Sequence, residues 1–300
     1  MKGIAMATAI KSKSKKARSG FRMANILVPT DFSEASLLAV EHARGISALF
    51  GAQLHLVHVV PTMVPPEAGT EVGRLVQDAR QRFVQFLDEA NIEWPEDKLH
   101  VSYGDLLEEL NDFITKHEID LVVIGSSAAG GAKRLLMGSM AEYIFRGLEA
   151  PVLAMGPQAT EPMDPRHALR HIVLCESLVP EAQRAMKYGC DLAEFTRAKV
   201  TVVHVLPESL KDSRRAVRFQ QMFEDELRTG ATHPVKFAEA DYIVTFGDTA
   251  REVVRVANSV EADLIVLGAK PAEMWQTHMG RGTAFRILSN AHCPILSVRS

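Results

Sequence analysis

Cysteine is scarce in this chain, with 3 residues in 300, and no two of them form a CxxC pair. That excludes a disulfide scaffold, a zinc ribbon and a thioredoxin-like redox pair. No apolar run reaches the roughly 18 residues of a membrane span, which argues against a membrane partner. Neither GxxxxGK[ST] nor GxGxxG occurs, so the chain has no Walker A loop and no dinucleotide fingerprint. Net charge is small, −3, but unevenly spread. Residues 1–23 hold 7 Lys or Arg and no acid, which leaves 27 basic side chains (34 less those 7) against 37 acidic ones. A body that acidic argues against a nucleic-acid-binding surface. The basic head has neither aromatic interleaving nor an amphipathic period nor the apolar stretch of a secretory signal. It reads as a disordered tail on a cytoplasmic protein.

What remains is ample apolar material, 47% of residues, in a chain long enough for two domains. The pattern alternates short apolar runs with helical stretches. Strands are expected at 26–30, 54–60, 98–103, 121–124 and after Pro151, with helices at 33–49, 67–90, 105–117 and 138–148. Such alternation means an α/β fold, a parallel sheet covered by helices on both faces. The order then recurs. LHLVHVV (54–60) is answered by VTVVHVL (200–206), Gly104-Asp105 by Gly247-Asp248, DLVVIG (120–125) by DLIVLG (263–268), and Pro151 by Pro294. The offsets are 146 for His58 and His204 and 143 for the later matches, so order and spacing are kept as in a duplicated unit. The predicted layout is a tail at 1–23, a first domain at 24–156, a proline-rich linker at 157–168 and a second domain at 169–300.

In an open parallel sheet ligands bind beyond the carboxyl ends of strands, where strand order reverses. Two segments of the first half have the composition for that place. Pro29-Thr30-Asp31-Phe32-Ser33 follows the first strand, where Asp31 or Ser33 can cap the next helix. A glycine-rich stretch from Gly125 to Gly138-Ser139 follows the fourth. Its glycines let backbone approach an anion, and Gly138-Ser139 opens a helix with unpaired N–H groups. No Ser-His-Asp or paired-carboxylate arrangement can be argued from spacing, and no catalytic base is evident. Whether the chain is an enzyme stays open.

These residues resemble the universal stress protein family, over roughly 24–155 and 169–299. The likeness is carried by ILVPTDFSEAS, LVHVV, YGD, DLVVIGSS, MGS and APVL. The resemblance implies two tandem open parallel five-stranded sheets of order 3-2-1-4-5. It also implies that residues 152–155 and 295–298 pair across a twofold axis within one chain, and that such chains associate as dimers. It implies ATP as the ligand, with or without Mg2+, with adenine and ribose near Pro29, Thr30, Asp31, Val59 and Ile124. Phosphates would lie over Gly125, Gly138, Ser139 and Met140. The family's nucleotide binders carry Gly-x2-Gly-x9-Gly-(Ser/Thr). Here Gly125, Ala128, Gly138 and Ser139 stand at those places, so Ala128 is a departure from glycine.

The second half departs further. Ser177 stands where Asp31 stood, Pro271 at the second glycine and Arg281 at the third. It reads as a copy that no longer holds nucleotide. The function implied is a stress-response regulator that binds ATP in its first half and acts through a protein partner the sequence does not identify. A nucleotide-free interaction protein is the alternative, favoured by Ala128. Cys175, Cys190 and Cys293 read as buried apolar residues, and His58 and His204 as strand residues under a helix.

Overall fold

A computed structural model describes residues 21–63, 67, 70–125, 139–159, 169–177, 180–211, 216–229, 240–269 and 282–299. The first half runs β1 (Asn25–Pro29), α1 (Glu34–Phe50), β2 (Gln53–Pro61), α2 (Glu71–Glu89), β3 (Leu99–Gly104), α3 (Leu106–Lys116), β4 (Leu121–Gly125), α4 (Ser139–Gly147) and β5 (Val152–Met155). The second repeats the order as β6 (His171–Cys175), α5 (Pro180–Thr196), β7 (Lys199–Leu206), α6 (Ala216–Thr229), β8 (Ala240–Phe246), α7 (Thr249–Ser259), β9 (Leu264–Ala269), α8 (Thr283–Leu288) and β10 (Ile295–Arg299).

Each half has the expected order 3-2-1-4-5, but the two sheets are one. The ten strands run β3-β2-β1-β4-β5-β10-β9-β6-β7-β8. Pairing is parallel within each half and antiparallel at the joint, where Ile295 faces Ala154, Leu296 faces Leu153 and Ser297 faces Val152. The side-chain period of two sorts the strand residues into two apolar layers. Ile26 and Val28 join α1, α2 and α5 on one face, and Leu27 joins α3, α4, α7 and α8 on the other. Both layers pass through both halves, so the duplicated units share their cores.

The repeated motifs are the fixings of this frame. Asp120 accepts hydrogen bonds from the N–H groups of Ala24 and Asn25 at 2.6 and 3.0 Å, tying the start of β4 to the start of β1. Asp263 does the same for Arg170 and His171 at 2.8 and 2.9 Å. Gly104 and Gly247 have φ of 144° and 141°, a region that side-chain-bearing residues avoid, and each turns its strand into a helix. The next residue caps that helix: Asp105 accepts from Leu107 and Glu108, and Asp248 from Arg251.

The end of the basic head is packed. Met23 is buried, and the ring of Phe21 meets Phe50 of α1 and both Tyr188 and Phe195 of α5, at centroid distances of 5.9, 5.1 and 6.3 Å. Phe50 and Phe195 stack at 4.7 Å across the joint. Residues 1–20 and the linker segment 160–168 lie outside the described residues.

Because β5 is an apolar strand with β10 on its outer side, removing the second half leaves an unpaired edge that recruits other strands. A chain ending at residue 156 is expected to dimerise or aggregate at micromolar concentration. Sedimentation velocity checks this, and a stable soluble monomer would show that the joint is dispensable.

Candidate functional site

Strand order reverses between β1 and β4, and there the carboxyl ends of β1, β2 and β4 open on a cleft of about 220 Å³. Pro29, Thr30, Asp31, Val59, Ile124 and Gly125, the sequence-derived candidates that lie within the described backbone up to β4, all line it. Ala128 and Gly138 lie outside the described residues. Ser139 and Met140 are the first two residues of α4, and their side chains are likewise outside the description.

The polar end of the cleft is built by the turn between β1 and α1. The ladder outlasts the strand, because the Thr30 N–H donates to the Val57 carbonyl at 2.9 Å. The Nδ1 of His58 then closes on the Thr30 carbonyl at 2.8 Å, as a donor. The Thr30 hydroxyl donates to Ser36 at 2.9 Å and accepts the Phe32 N–H at 3.0 Å. Ser33, not Asp31, is the N-cap of α1 and accepts from Ser36 at 3.2 Å. Asp31 makes a local turn instead, accepting the Ser33 N–H at 3.0 Å. Partial desolvation pushes its carboxyl up, but hydrogen bonds from Ser33 and Ser36 outweigh that, and the net shift is downward. Asp31 is therefore an exposed carboxylate held at the cleft mouth. Phe32 takes a φ of 64°, which turns its ring onto His58 at 4.4 Å and beneath the guanidinium of Arg82 at 4.7 Å.

Gly125 also has a packing duty that composition does not reveal. A Cβ there would collide with the carbonyl of Ala35, so this glycine permits α1 to cross close over the end of β4. The apolar walls include two residues that local pattern did not reveal, Leu106 of α3 and Ile144 of α4. His58 carried a signal that could have been used, since a histidine recurs at the same place in both halves.

The second half keeps the scaffold of this turn and changes its chemistry. The Glu176 N–H donates to Val203 at 2.9 Å, and His204 Nδ1 meets the Glu176 carbonyl at 2.8 Å, so Glu176 occupies the place of Thr30. A buried acidic side chain thus replaces a hydroxyl. Burial pushes the neighbouring Cys175 thiol up to about 12, where it is no nucleophile at neutral pH.

A second titratable cluster lies at the outer corner of the first half. His55 of β2, His100 of β3 and His117 at the end of α3 have ring centroids 5.5–5.7 Å apart, and Phe113 stacks on His117 at 4.0 Å. Among the described residues no group of three or more His, Cys, Asp or Glu side chains could hold a metal ion. Burial, then Lys98, His100 and His117, push His55 down to about 4. Among the described residues no helix is long and apolar enough to cross a membrane.

The fold and cleft define a duplicated, doubly wound α/β protein with a cleft at the switch point of its first unit. The sequence model of the universal stress protein family matches residues 23–155 and again 168–299, and the chain belongs to that family. A universal stress protein of Methanocaldococcus jannaschii is 31% identical over 137 residues, covering 43% of this chain and 80% of the relative. Universal stress protein G of Escherichia coli O157:H7 is 30% identical over 139 residues, covering 43% and 96%. The crystal structure of a universal stress protein from Archaeoglobus fulgidus superposes with a TM-score of 0.66 over 93% of this chain and 99% of its own. At 18% identity that likeness concerns the fold alone, and it extends over both halves.

Two outcomes follow from the geometry. Gly125→Ala should cost about 1–3 kcal/mol of stability, because the methyl group has no room against α1; urea unfolding measures it. His55 is neutral in the folded chain and binds its proton more readily unfolded, so stability should fall as pH drops below about 6.5. The loss should reach about 2–3 kcal/mol near pH 4. Urea titrations at pH 7 and pH 4.5 read the difference, and His55→Leu should reduce it.

Proposed function

We propose that the first half, residues 24–156, binds an adenine nucleotide, ATP by preference, in the cleft at the β1/β4 switch point. The observation that carries this reading is the chemistry of the cleft. Its walls are apolar, from Val57, Val59, Ile124 and Ile144, and one end is polar, from Thr30 and Asp31. Such a slot suits a flat heteroaromatic ring that needs one charged acceptor at its rim. At about 220 Å³ it takes a base and part of a sugar. The phosphates would extend toward the start of α4, whose first-turn backbone N–H groups have no acceptor within the helix itself. Glu176 and Ser177 at the matching turn support a second half without this ligand. Nucleotide occupancy would alter the surface presented beside the cleft and so regulate association with a protein partner in the stress response.

Calorimetry of the whole chain with ATP is the test. One site per chain is expected, and Asp31→Ala should weaken it by about 10–100-fold, the worth of a hydrogen bond to a charged group. Two equivalent sites, or an unchanged affinity in the variant, would overturn the reading.

A further inference from the structure

The two halves are related by a twofold axis, yet they grip each other's last helix differently. Arg299, the final residue of β10, is buried, and its guanidinium donates to the carbonyl of Phe145 at 3.0 Å. Phe145 lies in the last turn of α4, in the other half. The last four carbonyls of a helix lack partners within it and carry its negative dipole end. Arg299 therefore places a cation and a donor where α4 needs both. The position related to Arg299 by the repeat is Gly156, and the residue related to Phe145 is Leu288, the end of α8. There a Cβ on Gly156 would collide with the Leu288 carbonyl. The first half thus meets α8 with bare backbone, and the second half meets α4 with a long charged arm.

Helix α4 is also the helix of the candidate site. Ile144 faces the cleft, while its neighbour Phe145 is held at its carbonyl by Arg299 and lines, with Phe285 and Gly282 of the second half, a separate cavity of about 210 Å³. The helix is nine residues long, so a shift at its last turn is carried to its first. We propose that Arg299 is a positioning residue for nucleotide binding, by which the second half, having changed its own site, fixes the helix that receives the phosphates in the first. This rests on the nucleotide reading given above. It assigns the second half a regulatory part: whatever displaces the end of β10 loosens the site across the joint.

The experiment compares the full-length wild type with Arg299→Met, Arg299→Lys and a control on the same strand, Ser297→Ala. ATP affinity and amide exchange along α4 are measured for each. R299M is expected to bind about tenfold more weakly and to exchange faster along α4. R299K keeps the charge at the helix end and should recover most of the loss, and S297A should match the wild type. R299M binding within twofold of wild type, with unchanged exchange in α4, would overturn the inference and leave the nucleotide reading standing. A folded wild type that binds no ATP would overturn both. Should R299M fail to fold, exchange in the wild type decides: ATP should slow the amides of the last turn of α4 and of the end of β10. Bound ATP without that protection would overturn the proposal.

Discussion

The antiparallel pairing of β5 with β10 is the contact on which the rest of the molecule depends. Either half alone would present a buried-type apolar strand with a row of open backbone groups, and such an edge does not stay unpaired in water. Joining the two edges satisfies both at once. It also lays the apolar layers end to end, so that α1 and α5 share one face and α4 and α8 the other. A parallel joint could not do this, because only the antiparallel arrangement relates the halves by a twofold axis and brings the same helices together from both sides.

Within that symmetric frame the two halves share the bonds that fix the backbone. Both retain the histidine of the second strand bound to the carbonyl after the first, at 2.8 Å in each case. Both retain the aspartates that cap the third helix and tie the fourth strand to the first. These bonds serve the backbone, and they persist whether or not a ligand cleft is needed. At the turn after the first strand the divergence is in side chains: Thr30 against Glu176, Asp31 against Ser177. Scaffold and chemistry are thus separable here, since the ladder bond and the histidine bond that hold the residue after the first strand are the same in both halves.

Much of this was legible before any coordinates. Recurrence of the Gly-Asp, Asp-Leu and His-Val motifs at nearly constant offset revealed the duplication, because residues that secure backbone geometry are hard to replace. The place of the cleft followed from Pro29 to Asp31 standing after a buried strand. What stayed hidden depends on contacts between segments far apart in sequence. The packing need for Gly125 is one such case, since the collision that a side chain would meet comes from Ala35, 90 residues earlier. Leu106 and Ile144 enter the cleft from helices whose own periodicity shows only that they are buried. The fusion of two sheets into one was expected from family resemblance, and neither strand's local sequence names its partner.

Phe21 adds a constraint on the order of events during synthesis. Its ring is held by Phe50, from the same half, and by Tyr188 and Phe195, from the other. Ribosomes add roughly 5–20 residues per second, so on the order of ten seconds or more separates the emergence of Phe21 from that of its last partner. Over that interval the sheet of the first half can assemble, while the segment leading into it has only part of its binding site. Phe21 is therefore seated late, after more than half of the polypeptide has been made, and the strand that seals the joint arrives later still.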